Sequence, residues 1–163
     1  MKKLSVFSFE GLLLRRPQDV ANLNDWMSRD DCLFYPYVPD LPGKDAWDKF
    51  ATSFLSSAQK QGKNEVIIFS FSGQEKTNSK RVKFLLSTLK IENYELVSLP
   101  LKKDRGKDIK RELGLYLTKS NHKTRKYEEV ELYFRDIELA KSVADYVINN
   151  FSLTTRIHDL YSS

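Results

Sequence analysis

The 163 residues suit one domain with a buried core, and a composition 40% hydrophobic and 30% charged excludes global disorder. A single cysteine, Cys32, excludes an internal disulfide framework and fits a reducing compartment. The net charge of +5 suits a polyanionic partner without requiring one, and no run reaches the ~20 apolar residues of a membrane-spanning helix. The expectation is a soluble intracellular protein, cytoplasmic or nuclear.

Lys3 to Phe9 is rich in alternating apolar residues and Gly11 follows at once, which predicts a buried strand running into a loop. Met1-Lys2-Lys3 has the charge of a signal peptide. Ser5, Ser8 and Glu10 nonetheless interrupt the apolar stretch, and Arg15-Arg16-Pro17 closes it without a small-residue cleavage site. Residues 17–43 hold all but one of the five prolines and read as an irregular excursion, with a short helix around Val20 to Met27. Within it, Phe34-Tyr35-Pro36-Tyr37-Val38-Pro39 is too broken by proline for a central strand.

Trp47, Phe50, Phe54, Leu55 and Ala58 recur at helical spacing and Gly62 stops that helix, so 17–62 is a cap-like excursion plus a helix. Val66 to Phe69 is a continuous apolar run, as in a strand covered on both faces. A helix carrying Val82, Leu85, Leu86 and Leu89 follows, then a strand from Tyr94 to Leu99 that Pro100 ends. Lys107 to Leu117 is the next helix, Val130 to Phe134 the next strand, and Ile137 to Ile148 the last helix, with Leu153 to Ile157 closing the sheet. Regular alternation predicts a three-layer, doubly wound, mostly parallel α/β sheet of Rossmann-like type.

Basic charge is concentrated between Lys102 and Lys126, where ten Lys or Arg face three acids. Lys102, Lys103, Arg105, Lys107, Lys110, Arg111, Lys123, Arg125 and Lys126 are therefore the candidates for nucleic-acid phosphates; the alternative is a solvated helix face. Phe34, Tyr35, Tyr37 and Trp47 are candidates for a protein-binding surface, against the alternative that they cap the chain's own core.

The segment Val6-Phe7-Ser8-Phe9-Glu10-Gly11-Leu12-Leu13 resembles the first motif of the haloacid dehalogenase (HAD) superfamily, a hydrophobic strand followed by Asp-x-Asp-Gly-Thr-Leu. Ile67 to Phe71 with Ser72-Gly73-Gln74 resembles the second motif, whose hydroxyl residue contacts phosphate. Lys102 and Lys103 before the Asp108-Ile109-Lys110 helix resemble the lysine region, and Arg135-Asp136 falls where members carry metal-binding acids. Pro17, Asn22 or Asn24, and Trp26 echo the "Swiss Army Knife" RNA-repair group of that superfamily.

The resemblance implies a nucleophile at position 8 and an acid/base at position 10, and this chain has Ser8 and Glu10 there. A serine hydroxyl is neutral at pH 7 and offers a magnesium ion no charge, while neither His122 nor His158 is placed as an obvious relay. Ser8, Glu10, Ser72, Lys102, Lys103 and Asp136 thus read as a degenerate site with no metal and no cofactor. The reading that follows leans away from an enzyme: a catalytically inactive HAD-like binding or scaffold subunit with a protein partner, in a nucleic-acid-associated complex. Two alternatives stand beside it, a divergent magnesium-dependent phosphohydrolase using Glu10 and Asp136, and a nucleic-acid binder acting through 102–126.

Overall fold

The computed structural model describes residues 2–10, 12–14, 47–60, 64–71, 76–100, 105–121 and 127–160. Strands β1 (Lys2–Ser8), β2 (Asn64–Ser70), β3 (Glu95–Ser98), β4 (Tyr127–Tyr133) and β5 (Thr154–Ile157) form one sheet. Helices α1 (Lys49–Lys60), α2 (Lys76–Thr88), α3 (Arg105–Asn121) and α4 (Ile137–Phe151) lie between them in the chain. The order across the sheet is β3-β2-β1-β4-β5, and all four pairings are parallel.

Register assigns the helices to faces. Phe7 is level with Ile68 and Tyr133, and Ser70 with Ser98, so these side chains share one face. Phe54 of α1 packs on Tyr133 and Ser79 of α2 bonds Ser98, which places α1 and α2 on that side. Leu4 is level with Glu65, and Lys2 with Tyr127, on the opposite face, where Tyr116 of α3 stacks on Tyr127. Helix α4 joins α3 on this side: Gly114 of α3 comes so close to Tyr146 of α4 that a methyl group there would overlap its hydroxyl.

Central strands are covered on both faces, and their burial follows. The last five residues of both β1 and β2 are buried, with Val6, Phe7, Ile67, Ile68 and Phe69 at the middle of the core. Helix α1 turns Ala51, Leu55 and Ala58 inward, while Phe50, which shares the apolar spacing, lies 53% exposed beside Phe54.

Helix ends are fixed by specific groups. Asp48 Oδ1 accepts from the amides of Phe50 and Ala51 at 3.0 Å each, starting α1. After α2, the Ile91 amide bonds the Leu86 carbonyl and the Lys90 amide the Ser87 carbonyl, with Lys90 at φ 60°. That pair of bonds is a Schellman closure, completed by Ile91 and Leu86, both buried. Ser152, at φ 53°, ends α4 in the same left-handed conformation.

The segment after β1 is pinned at several points. Phe9 donates to the Phe69 carbonyl at 2.8 Å, Leu14 donates to the Phe9 carbonyl at 2.9 Å, and Leu14 then bridges Trp47 in antiparallel fashion. Asp48 donates to the Leu13 carbonyl at 2.9 Å, so the chain leaving at Leu14 and returning at Trp47 is held side by side.

Candidate functional site

In this strand order the chain moves from β1 to β2 to β3, then returns to the other side of β1 for β4. Open parallel sheets form their ligand crevice at such a reversal, beyond the carboxyl ends of the strands. The carboxyl ends flanking it are Ser8 with Glu10 on β1 and Phe134 to Asp136 on β4. Topology alone therefore brings Ser8, Glu10 and Asp136 to one edge.

Each of the three has a definite environment. Ser8 is 97% buried in the last position of β1, level with Phe69. Glu10 is buried just past the strand, and its carboxylate reaches across to the end of β2. Its Oε1 accepts from the Ser70 hydroxyl and its Oε2 from the Phe71 amide, both at 2.7 Å. Those short distances mark charge-assisted bonds to a buried anion. Asp136 is exposed and is the N-cap of α4, with Oδ1 accepting from the Leu139 amide at 3.2 Å.

The basic flank is set by α3. The Arg105 guanidinium lies 5.3 Å from the centroid of the Phe71 ring, so the first residue of α3 stands over the amide-bearing residue that Glu10 holds. Lys107 is exposed and Lys110 half-buried, whereas Arg111 pairs with the buried Asp108 at 2.9 Å and approaches Glu112 at 3.5 Å. Arg111 is therefore largely charge-compensated within its own helix. Trp47 is buried, edge-on to Phe9 with ring centroids 5.9 Å apart, in the place its core-capping alternative requires. Ser72, Lys102, Lys103, Lys123, Arg125 and Lys126, and the aromatics Phe34, Tyr35 and Tyr37, lie outside the described residues.

The chemistry open to this set is limited. Ser8 brings a neutral hydroxyl, and in-line attack on phosphorus needs an anionic oxygen or a base to make one. The nearest carboxylate along the strand, Glu10, is spent on Ser70 and Phe71, and Asp136 is spent on its helix. The fold implies magnesium, which takes oxygen ligands of near-octahedral geometry including one or two carboxylates. Among the described residues no group of three or more His, Cys, Asp or Glu is placed to hold a metal ion.

Two features escaped sequence reasoning. Ser70 and Phe71 as the partners of Glu10 were obscured because Ser70 and Ser72 share the same spacing rule at a strand end. A charged cluster on β4 and β5 was hidden inside a strand read only for its apolar residues: Lys3 lies 3.6 Å from both Glu129 and Glu131, and Arg156 pairs with Glu129. The alternation Glu129, Glu131, Tyr133 was the available signal. Tyr133 donates to Glu131 at 3.0 Å, and burial, followed by the nearby Glu131 charge, pushes its pKa above the tyrosine range.

No protein-family model matches the chain, nor does any curated protein sequence. Solved structures do. The HAD domain of effector protein Lem4 from Legionella pneumophila superposes with a TM-score of 0.57 at 13% identity, over 97% of this chain and 85% of that one. Its inactive mutant gives 0.58 at 14%. A chain of the Pnkp1/Rnl/Hen1 RNA repair complex gives 0.53 at 15% identity, over 97% of this chain and 42% of its own length. No helix among the described residues is long and apolar enough to cross a membrane. The parallel sheet order and these superpositions agree on one architecture, and the chain has a HAD-like α/β fold.

Proposed function

We propose that this chain is a catalytically silent HAD-like domain that acts as a binding or scaffold subunit with a protein partner. The observation that carries the reading is the state of the crevice. A hydroxyl stands at position 8, and the adjacent carboxylate, Glu10, has both oxygens bonded to the end of β2. Activating Ser8 through Glu10 requires breaking two buried, charge-assisted bonds without a replacement acceptor, an unfavourable exchange. Similarity to a chain from an RNA repair complex supports a place in a nucleic-acid-associated assembly, in line with the RNA-repair group that Pro17, Asn22 or Asn24, and Trp26 echo.

Hydrolysis assays on a generic phosphate ester and on 5′- and 3′-phosphorylated oligonucleotides, with magnesium present, test the silence. The expected result is no turnover above background and no change on Ser8→Ala. Magnesium-dependent turnover that disappears in both Ser8→Ala and Glu10→Ala would falsify the reading in favour of the phosphohydrolase alternative. The scaffold part is tested separately by affinity capture from the native cell under mild conditions, where a stoichiometric protein partner is expected.

A further inference from the structure

The sheet face turned towards α1 carries a cluster that the crevice does not use. Three rings stack across neighbouring strands, Phe7 on Tyr133 and Tyr133 on His158, with centroids 4.3 Å apart and planes within 3° in each pair. Phe7 and Tyr133 are buried, yet the His158 side chain keeps 30% exposure. Tyr133 covers one face of that imidazole, and Nε2 is enclosed without a hydrogen bond, 3.5 Å from Glu131 Oε2. The remaining exposure thus belongs to the face and edge turned away from Tyr133. Because β5 is the last strand in the order, that direction leads past the edge of the sheet.

The groups around the open ring have a definite character. Glu129 is buried, and its Oε1 makes no hydrogen bond, although Arg156 Nε comes within 2.5 Å without hydrogen-bond alignment. The Arg156 side chain is 67% exposed. A stack of rings offers the same attraction to each further planar ring, through dispersion and complementary edge and face charges. An aromatic residue of a protein partner would use the ring alone. A nucleotide uses both the ring and the cation beside it: its base stacks on the imidazole, and its phosphate suits the exposed Arg156 guanidinium.

We propose that His158 is the open end of a stacking platform for a nucleobase, with Arg156 taking the attached phosphate. The platform lies on the sheet face opposite Ser8, so it stands whether or not the crevice is silent.

The chain has two histidines, so ring-proton NMR of the full chain reads His158 directly. Titration with adenosine 5′-monophosphate and with a short single-stranded RNA is expected to move one histidine's signals upfield, and His158→Ala to remove that response. In calorimetric titration, His158→Ala is expected to lose about tenfold in affinity, whereas His158→Phe, which keeps a ring, stays within about threefold. Arg156→Ala is expected to weaken the nucleotide but not the bare nucleoside. Tighter binding of the RNA points to a strand as the natural ligand, and equal binding to a free nucleotide. An unchanged melting temperature in His158→Phe shows that the fold is intact. Charge reversal at Lys107 and Lys110 leaves the histidine response unaltered, separating this platform from any nucleic-acid contact along α3. The proposal is overturned if neither histidine moves at millimolar ligand, if ribose 5-phosphate gives the same response, or if a blocked tryptophan does so equally well.

Discussion

The carboxylate of Glu10 and the hydroxyl of Ser70, 60 positions apart in the chain, meet in a buried hydrogen bond of 2.7 Å. With the Phe71 amide as the second donor, Glu10 locks the segment after β1 to the end of β2. Glu10→Ala leaves two buried donors without an acceptor and is expected to cost about 3 kcal/mol of unfolding free energy. Adding Ser70→Ala removes one orphan, so the double variant should be less destabilised than the sum of the two singles. A urea-denaturation double-mutant cycle reads this coupling, and strict additivity would show that the lock contributes nothing.

Lys90 adopts φ 60°, a conformation in which its Cβ crowds the following carbonyl. The Schellman closure of α2 requires that conformation whatever the residue. Lys90→Gly is therefore expected to raise stability by about 1 kcal/mol, a gain visible as a higher melting temperature with an unchanged circular dichroism spectrum.

Gly114 shows the opposite case. An added methyl group would overlap the Tyr146 hydroxyl and lie 3.2 Å from Tyr146 Cζ, so the α3–α4 contact depends on the bare backbone. Gly114→Ala should destabilise by about 1–2 kcal/mol despite alanine's better helix propensity. In a Tyr146→Phe background the worst overlap is gone, and the same substitution should cost much less. Equal penalties in both backgrounds would place the conflict elsewhere.

Tyr127 and Tyr133 both hold their protons more tightly than an ordinary tyrosine, mainly through burial. Second come the hydrogen bond to Glu65 for Tyr127 and the charge of Glu131 for Tyr133. A folded pKa raised above the unfolded value of about 10 gives stability that is complete below that pH and is lost as pH climbs through the folded values. The denaturation midpoint should therefore fall above about pH 10, and the Tyr127→Phe, Tyr133→Phe double variant should fall less steeply. Parallel slopes would assign the alkaline loss to other groups.

The sheet was legible in the sequence because its strands are buried on both faces. The run Val66 to Phe69 has no other sensible home, and Ile137 to Ile148 repeats its apolar residues at nearly every helical turn. Apolar spacing misjudged individual exposure at Phe50 and Ile148, since periodicity names a stripe and not which of its margins meets the core. At the crevice, motif order placed Ser8, Glu10 and Asp136 at one edge. It was silent on their partners, because Ser70 reaches Glu10 only once β1 and β2 pair. The ring stack was also invisible: Phe7, Tyr133 and His158 belong to three separate segments, and only strand register aligns them.

The bridge from Leu14 to Trp47, with the Asp48 amide on the Leu13 carbonyl, bears on the chain's capacity to vary. Both ends of the intervening span are fastened to the domain and to each other, so changing its length alters closure entropy only as a slow logarithm. The clasp of Leu13 and Leu14 on Trp47 and Asp48 thereby ties the entry of α1 to the end of β1, so the first helix inherits its position from the first strand.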